Sequence, residues 1–538
     1  MGFDGAASTP ASRGRVVMLV DNGVNGDSRV QKAARSAADA GWEVILLGRA
    51  PGGQEQTWQL GRAEVRLIEV ADPLARRRHE FRRVLRRGPL AYPPNGIASH
   101  RAQAVRAWQT DLRLREAELT LATRAGRPVP GGKRRALAAE RLAARVTGKW
   151  VSFRYWQLTR GQQARRKLAG PVDRFYTWFW EAVRGDGAWR RLEPSLWDWE
   201  LAFGPVIDAL RPDLIHANDY KMLGVGARAT LRARAAGRPV KLVWDAHEFL
   251  PGLNPALSRG RWLRAQCAHE REYAPVADAV VTVSPSLAEL LVREHRLPER
   301  PAVVLNAPNA LPPRSAESAP ALDLRALCGV GRDVPLLAYS GAVAPVRGVD
   351  ILIEALPGLP GVHAALVSLP PGRSSTPSID ALRRRATELG VADRVHVLPY
   401  VSHHQVAAFL SAADAAISPL HHLPNHEIAL SNKFFEYSHA RLPIIVSDVR
   451  TMAETVRETG QGEVFRAQDV DDFVRAARTV LADPDRYRAA YDRPGLLEEW
   501  TWERQAEVLD GVYTWLLARD PSSGVPAGTP APSVSGVG

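Results

Sequence analysis

The stretch Ser431-Asn432-Lys433-Phe434-Phe435-Glu436 sets a lysine and a glutamate at the front of an expected helix that feeds the apolar run Ile444–Val446. Ser431 and Asn432 are both N-cap types. A lysine in the first turn opposes the helix dipole unless an anion sits there. Glu436 lies five residues after Ser431 and four after Asn432, off the three-residue offset of a capping box. The two side chains read either as an i,i+3 surface pair or as two walls of an anion pocket.

Three other segments place chemistry where a strand ends. In "YSGAVAPVRG" (339–348), Gly341, Arg347 and Gly348 precede an expected helix, and an arginine forks onto phosphate oxygens better than a lysine does. A solvated loop arginine is the plainer reading. "DAHE" (245–248) closes an apolar strand with Asp245, His247 and Glu248. The histidine is either a satisfied structural residue or a group that orients a hydroxyl or phosphate. "DNGVNGDSR" (21–29) follows the first strand, so the backbone of Gly23, Val24 and Asn25 can approach a phosphate or sugar, with Arg29 behind it. It lacks the Rossmann and Walker spacings. His403, His404, His421, His422 and His426 match no zinc template and have no cysteine near, so neither a metal nor a cofactor is expected.

The elements that must hold these residues follow an α/β rhythm. Apolar strands are expected over Val16–Val20, Val44–Leu47 and Val65–Val70, then in "PDLIHAND", "VKLVWDAHE", "ADAVVTVS" and "AVVLNAPN". After the Pro/Ser-rich "NALPPRSAESAPA" a second alternating set begins, with strands in "PLLAYSGAVAPVRG", "HAALVSL", "RVHVLPYV" and "DAAISPL". At 538 residues two or three domains are expected. No apolar run reaches 18 residues, and the N-terminus has no apolar signal core, so the expectation is a cytoplasmic protein without a spanning helix. Cys267 and Cys328, two isolated thiols, exclude a disulfide scaffold.

Charge is uneven. Residues 71–170 hold 24 Lys/Arg against 6 Asp/Glu, although the whole chain carries only +13, so the remainder is net acidic. Residues 71–200 read as helical and hold eight of the fifteen tryptophans. Val105, Trp108, Leu112, Leu119 and Ala122 form a heptad-like stripe broken at Arg115. The runs "RRRHEFRRVLRRG" and "RRKLAG", with the aromatics of "RFYTWFWEAV", suit an anionic membrane surface. A packed helical subdomain and an anionic-polymer patch are the alternatives. A nucleic-acid-binding protein would rest on this segment alone, and none is expected.

Taken in order, "DSRVQKAARSAADAGWEVILL", "PDLIHAND", "VWDAHE", "ADAVVTVSPSLAELL", "VLNAPN", "GAVAPVRGVDILIEAL" and "SNKFFEYSHARLPIIVSD" resemble the glycosyltransferase family 4 enzymes. The resemblance implies an α/β GT-B fold, two Rossmann-like domains facing a central cleft, here with a basic helical insert. The expected N-terminal acceptor domain is 14–312, including the insert 71–200. The expected nucleotide-sugar-binding domain is 326–495, followed by a helix at 496–519 crossing back and a disordered tail at 520–538.

The resemblance also implies roles. Arg347 and Lys433 would bind the donor diphosphate, and Glu436 the ribose hydroxyls, in an Asn-Lys-x-x-Glu variant. His247 would sit beside the transferred sugar, and Tyr400 and Val401 would meet the nucleobase. Gly341, Gly348, Ser431 and Asn432 complete the donor side. Gly23, Val24, Asn25, Arg29 and Asp245 would line the acceptor and phosphate loop. Two departures stand out: Ala342 replaces an arginine common after the phosphate-loop glycine, and Ile428 occupies the place of the first glutamate of the paired motif, with Glu427 one position off. The implied reaction is retaining transfer from a nucleotide sugar to a glycan or lipid-linked acceptor, without a protein base, for cell-envelope polysaccharide. An inactive nucleotide-sugar-binding relative is the alternative.

Overall fold

The structure, a computed structural model, describes residues 13–71, 74, 90–93, 97–124, 130–167, 170–253, 260–310, 322–370, 372–402 and 405–518. The expected tail at 520–538, the basic run at 76–88, the Pro/Ser-rich segment from 311 to 321, His403 and His404 lie outside them. The described chain forms two compact units, residues 1–71, 199–254 and 266–538 in one and 72–198 with 255–265 in the other.

The larger unit holds two sheets. The first orders its strands β3-β4-β2-β1-β5-β6-β7-β8, with β1 Arg15–Leu19, β2 Glu43–Arg49, β3 Gln56–Leu60, β4 Ala63–Ile68, β5 Leu214–Asn218, β6 Lys241–Ala246, β7 Ala279–Thr282 and β8 Ala302–Val303. All pairings are parallel except β3 with β4. That hairpin turns at Gly61, φ +65, and its first strand is one the sequence reading passed over, because "QTWQL" carries one partly buried residue and one buried residue only. The second sheet is wholly parallel, ordered β11-β10-β9-β12-β13-β14, with β9 Leu336–Ser340, β10 His363–Leu369, β11 Val395–Pro399, β12 Ala415–Ser418, β13 Ile444–Ser447 and β14 Gly462–Phe465. Two parallel, doubly covered sheets are the GT-B architecture the sequence implied, and their continuous apolar strands follow from burial on both faces.

The helix Ser28–Asp39 is capped by Asp27, whose side chain accepts from Val30 N, and Gly41 at φ +97 lets the chain leave. Its alanine-rich face packs on the first sheet, and so does the helix Trp502–Ala518, which contributes Trp502, Leu509, Val512, Tyr513 and Leu516 to that same core. Asp510 receives hydrogen bonds from Arg13, at 2.8 Å, and from Trp42 Nε1, at 2.7 Å. The expected helix near 497–518 is broken in two, Leu496–Glu499 and Trp502–Ala518, where Trp500 turns in beside Phe434 and Phe435.

In the smaller unit the helices Ile97–Arg124 and Gly131–Lys167 form an antiparallel hairpin. The stripe read from sequence is its seam: Trp108, Leu112 and Leu119 pack with Leu137 and Ala144, and Val105 with Val151 and Leu158. Arg115, which breaks the stripe, pairs with Glu140, and Glu116 with Arg141, stitching the rim. On its outer side the second helix exposes Leu142, Val146, Trp150, Phe153 and Trp156. Among the described residues no helix is long and apolar enough to cross a membrane.

Candidate active site

The second sheet sends its β9 and β12 loops and the helix Asn432–His439 to one place. That helix begins at Ser431, whose backbone is extended and whose side chain makes no capping bond; its Oγ is buried without a partner. Lys433 then lies in the first turn, and its carbon stem crosses the loop after β9. Gly341 there has φ +120, and a Cβ on it would stand 2.1 Å from Lys433 Cε, so only glycine admits the lysine. Gly348, φ +64, is equally fixed, with the Pro419 carbonyl 2.0 Å from any added Cβ. Between these glycines the turn Pro345–Arg347 presents Arg347 beside the Tyr339 hydroxyl. The Lys433 ammonium lies 5.5 Å from the Tyr339 ring centre, and Tyr437, buried, accepts through its hydroxyl from Ser340 N at 2.9 Å, tying helix to strand.

Arg347 and Lys433 are close enough to repel, and neither has a carboxylate at ion-pair distance among the described residues. Burial, then Arg347, brings the Lys433 ammonium down to about 8, against the pull of Glu436. Burial holds Glu436 up, at about 7, against Lys433 and Lys32. Lys32 comes from the other sheet's first helix. Its ammonium donates to Asn306 Oδ1 at 3.1 Å and lies 4.7 Å from the Trp502 ring centre. Burial and then Arg29 lower it to about 7, with Glu436 opposing. Lysines whose charge is suppressed, beside an arginine and two obligatory glycines, make a site short of negative charge. Tyr400 and Val401 follow β11; Tyr400 N donates to the Leu369 carbonyl at 2.9 Å, and its ring stands near enough to Arg347 to feel its charge.

The first sheet sends different groups. Arg29 is 3% exposed and forks onto Asp245, at 3.0 and 2.9 Å, while also donating to the Val304 carbonyl at 2.7 Å. Although burial opposes it, Arg29 and His247 hold the Asp245 carboxyl well below its usual range. His247 stands between Asp219, 3.2 Å from Nδ1, and Asp245, 3.1 Å from Nε2. Burial disfavours its charge, and the two carboxylates outweigh burial and raise it. The Arg29 Nε, 2.9 Å from the same Nε2, pulls the other way, because that approach is a hydrogen bond only when Nε2 carries no proton. We place the proton first on Nδ1, towards Asp219. Behind Asp245, His216 Nε2 lies 3.5 Å away, and its Nδ1 is 2.6 Å from the Tyr513 hydroxyl.

The loop after β1 is held from within. Val24 N donates to Asn22 Oδ1 at 2.8 Å, and Asn25 N to the Gly23 carbonyl at 2.6 Å. Val24 is buried in the core at φ +65, an unusual conformation for a branched residue. Its side chain therefore points inward, and the loop offers its backbone and the exposed Asn25 outward. Glu427 is committed elsewhere: it accepts from Arg450 N at 2.7 Å and pairs with His422, which also meets Asp448 at 2.9 Å. Ile428 is buried, its carbonyl accepting from Ser284 Oγ. His426 bonds the His421 carbonyl. These histidines fasten loops together, and among the described residues no group of three or more His, Cys, Asp or Glu is disposed to hold a metal. The sequence reading passed over Lys32, Asp219 and His216. Asp219 had a signal, since it ends "IHAND" at a strand terminus; Lys32 looked like one more helix-surface lysine.

Two Rossmann-like sheets, the second with a basic, glycine-lined pocket at its strand ends, define the GT-B class. The model of "Glycosyl transferases group 1" matches residues 329–493, and that of "Glycosyltransferase Family 4" matches 150–309. The chain belongs to glycosyltransferase family 4. The second match starts at residue 150, inside the segment read as a helical insert.

The D-inositol 3-phosphate glycosyltransferase of Mycolicibacterium smegmatis is 27% identical over 312 residues, 56% of this chain and 67% of that protein. Its namesake from Geodermatophilus obscurus is 26% identical over 318 residues, 53% and 69%. The chain thus spans about two thirds of the length of the curated relatives it matches. Among solved structures, sucrose-phosphate synthase from Thermosynechococcus elongatus superposes with TM-score 0.59 at 17% identity, over 94% of this chain and 100% of that one. The Anabaena protein HepE in complex with UDP-glucose superposes with TM-score 0.54 at 14% identity, over 93% and 100%. These likenesses carry the fold.

Proposed function

We propose that this chain transfers a sugar from a nucleoside-diphosphate sugar to a glycan or lipid-linked acceptor, with retention of anomeric configuration, in building cell-envelope polysaccharide. The observation that supports this best is the Gly341–Arg347–Lys433 pocket, where two cations without a carboxylate partner meet a loop whose glycine is shaped around the lysine. A diphosphate relieves their repulsion and accepts the amides at the helix start. On this reading Glu436, one turn further, accepts from the ribose hydroxyls, Tyr400 and Val401 meet the nucleobase, and His247 sits beside the transferred sugar. A departing diphosphate held by Arg347 and Lys433 takes the acceptor proton on the same face, and the protein's contribution is position and charge neutralisation.

The helical insert is assigned to an anionic inner-membrane surface. Trp150, Phe153 and Trp156 stack successively at 6.0 and 6.2 Å, with exposed Arg145, Lys149 and Arg160 on the same helix. Aromatic rings among basic residues suit a headgroup layer.

Thermal shift against UDP, GDP, ADP and their common sugars, beside Lys433→Ala, tests the transfer reading: one nucleotide is expected to raise the melting temperature in the parent only. No shift with any of them at millimolar concentration overturns it. For the insert, co-sedimentation with phosphatidylglycerol-containing vesicles is expected, and its loss in Trp150→Ser/Phe153→Ser/Trp156→Ser. Equal binding by that variant removes the assignment.

A further inference from the structure

The first sheet reverses its strand order at β1, with β2 on one side and β5 on the other. The crevice off the carboxyl ends of such a pair is where open α/β sheets take ligands. Here it is bordered by Asp21 and Asn22 after β1, by Asn218 to Lys221 at the end of β5, and by His247 and Glu248 after β6. Asn218 is 1% exposed. Its Nδ2 donates to the Leu19 carbonyl at 3.0 Å, which fixes the amide's orientation and leaves Oδ1 buried without a partner. Asp219, next in the chain, is held at φ +61, a strained backbone that turns the chain off the strand end.

The surrounding charges are acidic. Asp21, Asp219 and Glu248 lie within electrostatic reach of one another, since the Glu248 carboxyl is raised by burial and then by Asp219, with Asp21 adding and His247 and Lys221 opposing. The Tyr220 hydroxyl is pushed up by burial and by the same three carboxylates. The nearby cations are already engaged: Lys221 with Asp21, Arg29 with Asp245, and Arg49 stacked 5.5 Å over Trp199. What the crevice offers a ligand is therefore hydrogen-bond acceptors. A buried orphan acceptor is costly until a donor reaches it, and a phosphate or carboxylate has none to give.

We infer that this crevice is an acceptor subsite for an uncharged, hydroxyl-rich sugar unit, and that it turns away sugars carrying phosphate or carboxylate at the unit it holds. The inference rests on the glycosyl-transfer reading above. It separates this chain from relatives named for inositol 3-phosphate, whose named compound is an anion.

The test is ligand-observed saturation-transfer NMR on the full chain near neutral pH. Methyl α-glucoside, methyl α-mannoside, maltose and myo-inositol are set against glucose 6-phosphate, mannose 6-phosphate and glucuronate. Binding of at least one neutral compound, about tenfold or more tighter than its anionic counterpart, is expected. Glu248→Lys should raise affinity for the phosphorylated sugars by about tenfold, and Asn218→Leu, which removes the orphan acceptor, should weaken the neutral ones. Equal or tighter binding of the anions overturns the inference, and so does failure of every neutral compound to bind. The nucleotide thermal shift is read separately, so a protein that binds nucleotide but favours anionic sugars refutes the subsite and leaves the transfer reading standing.

Discussion

The two sheets bring opposite chemistry to their strand ends. The second presents Arg347 and Lys433 over glycines and is short of negative charge. The first presents Asp21, Asp219, Asp245 and Glu248, with the buried Arg29 neutralised by a bidentate carboxylate. Sheet topology is similar in kind, so the difference lies in the loops. On the proposed reading one half receives an anion and the other hydroxyls, a division that suits a reaction joining a diphosphate donor to a polyol. Lys32 is the exception that links them, reaching from the first sheet's helix into the field of Glu436.

The largest effect expected is on the buried pair. Arg29→Ala takes the bidentate partner from buried Asp245 and leaves His247 beside it, and removing one partner of a buried pair costs about 3–5 kcal/mol. A fall in melting temperature large enough to deplete folded protein checks this. A near-neutral result would mean that the first sheet's acidity is not locked by Arg29, and the contrast would weaken. Next comes Lys433→Ala, which removes a charged hydrogen bond worth about 1.5–3 kcal/mol. Nucleotide affinity should fall roughly 10- to 100-fold by calorimetry, with melting temperature in the absence of nucleotide little changed.

The pH dependence is smaller and sharpens the contrast. Lys433, lowered to about 8, loses its charge as pH rises through that value, so diphosphate affinity declines on the alkaline side. Glu436, raised to about 7, gains a proton as pH falls through it and loses the charge that would strengthen its proposed hydrogen bonds from ribose, giving a decline on the acid side. Affinity should therefore peak between about pH 7 and 8, and Glu436→Gln should abolish the acid limb and keep the alkaline one. The least effect belongs to Tyr513→Phe, which removes the hydroxyl facing His216. The loss is about 1 kcal/mol, measured as a modest melting shift without change in nucleotide affinity.

The donor half was the more legible half in the sequence. "SNKFFEYSHARLPIIVSD" announces itself because a lysine in a helix's first turn violates the dipole preference, and a local violation is visible one residue at a time. "YSGAVAPVRG" shows its glycines for the same local reason. The acceptor half was legible only in pieces. Lys32 lies almost two hundred residues before His216 and Asp219, and the three come into one half of the molecule only when β1 and β5 pair. Val24 misled in the opposite sense, since a Gly/Asn loop suggests an outward turn and the valine is folded inward at positive φ. The β3 strand was missed because its alternation is mostly solvent-facing. Glu427 looked like a displaced catalytic carboxylate, and only its bond to Arg450 N reveals it as a clasp.

The helix Trp502–Ala518 has a consequence for synthesis. It fills the core of a sheet whose first strand ends at Leu19, so that sheet's hydrophobic surface stays incomplete until nearly five hundred further residues have left the ribosome. Domains usually fold in the order they are made. Here the first-made domain is finished last: the core that holds Val16, Met18 and Trp42 has its first helix early, and lacks Leu509, Val512, Tyr513 and Leu516 until the last helix arrives.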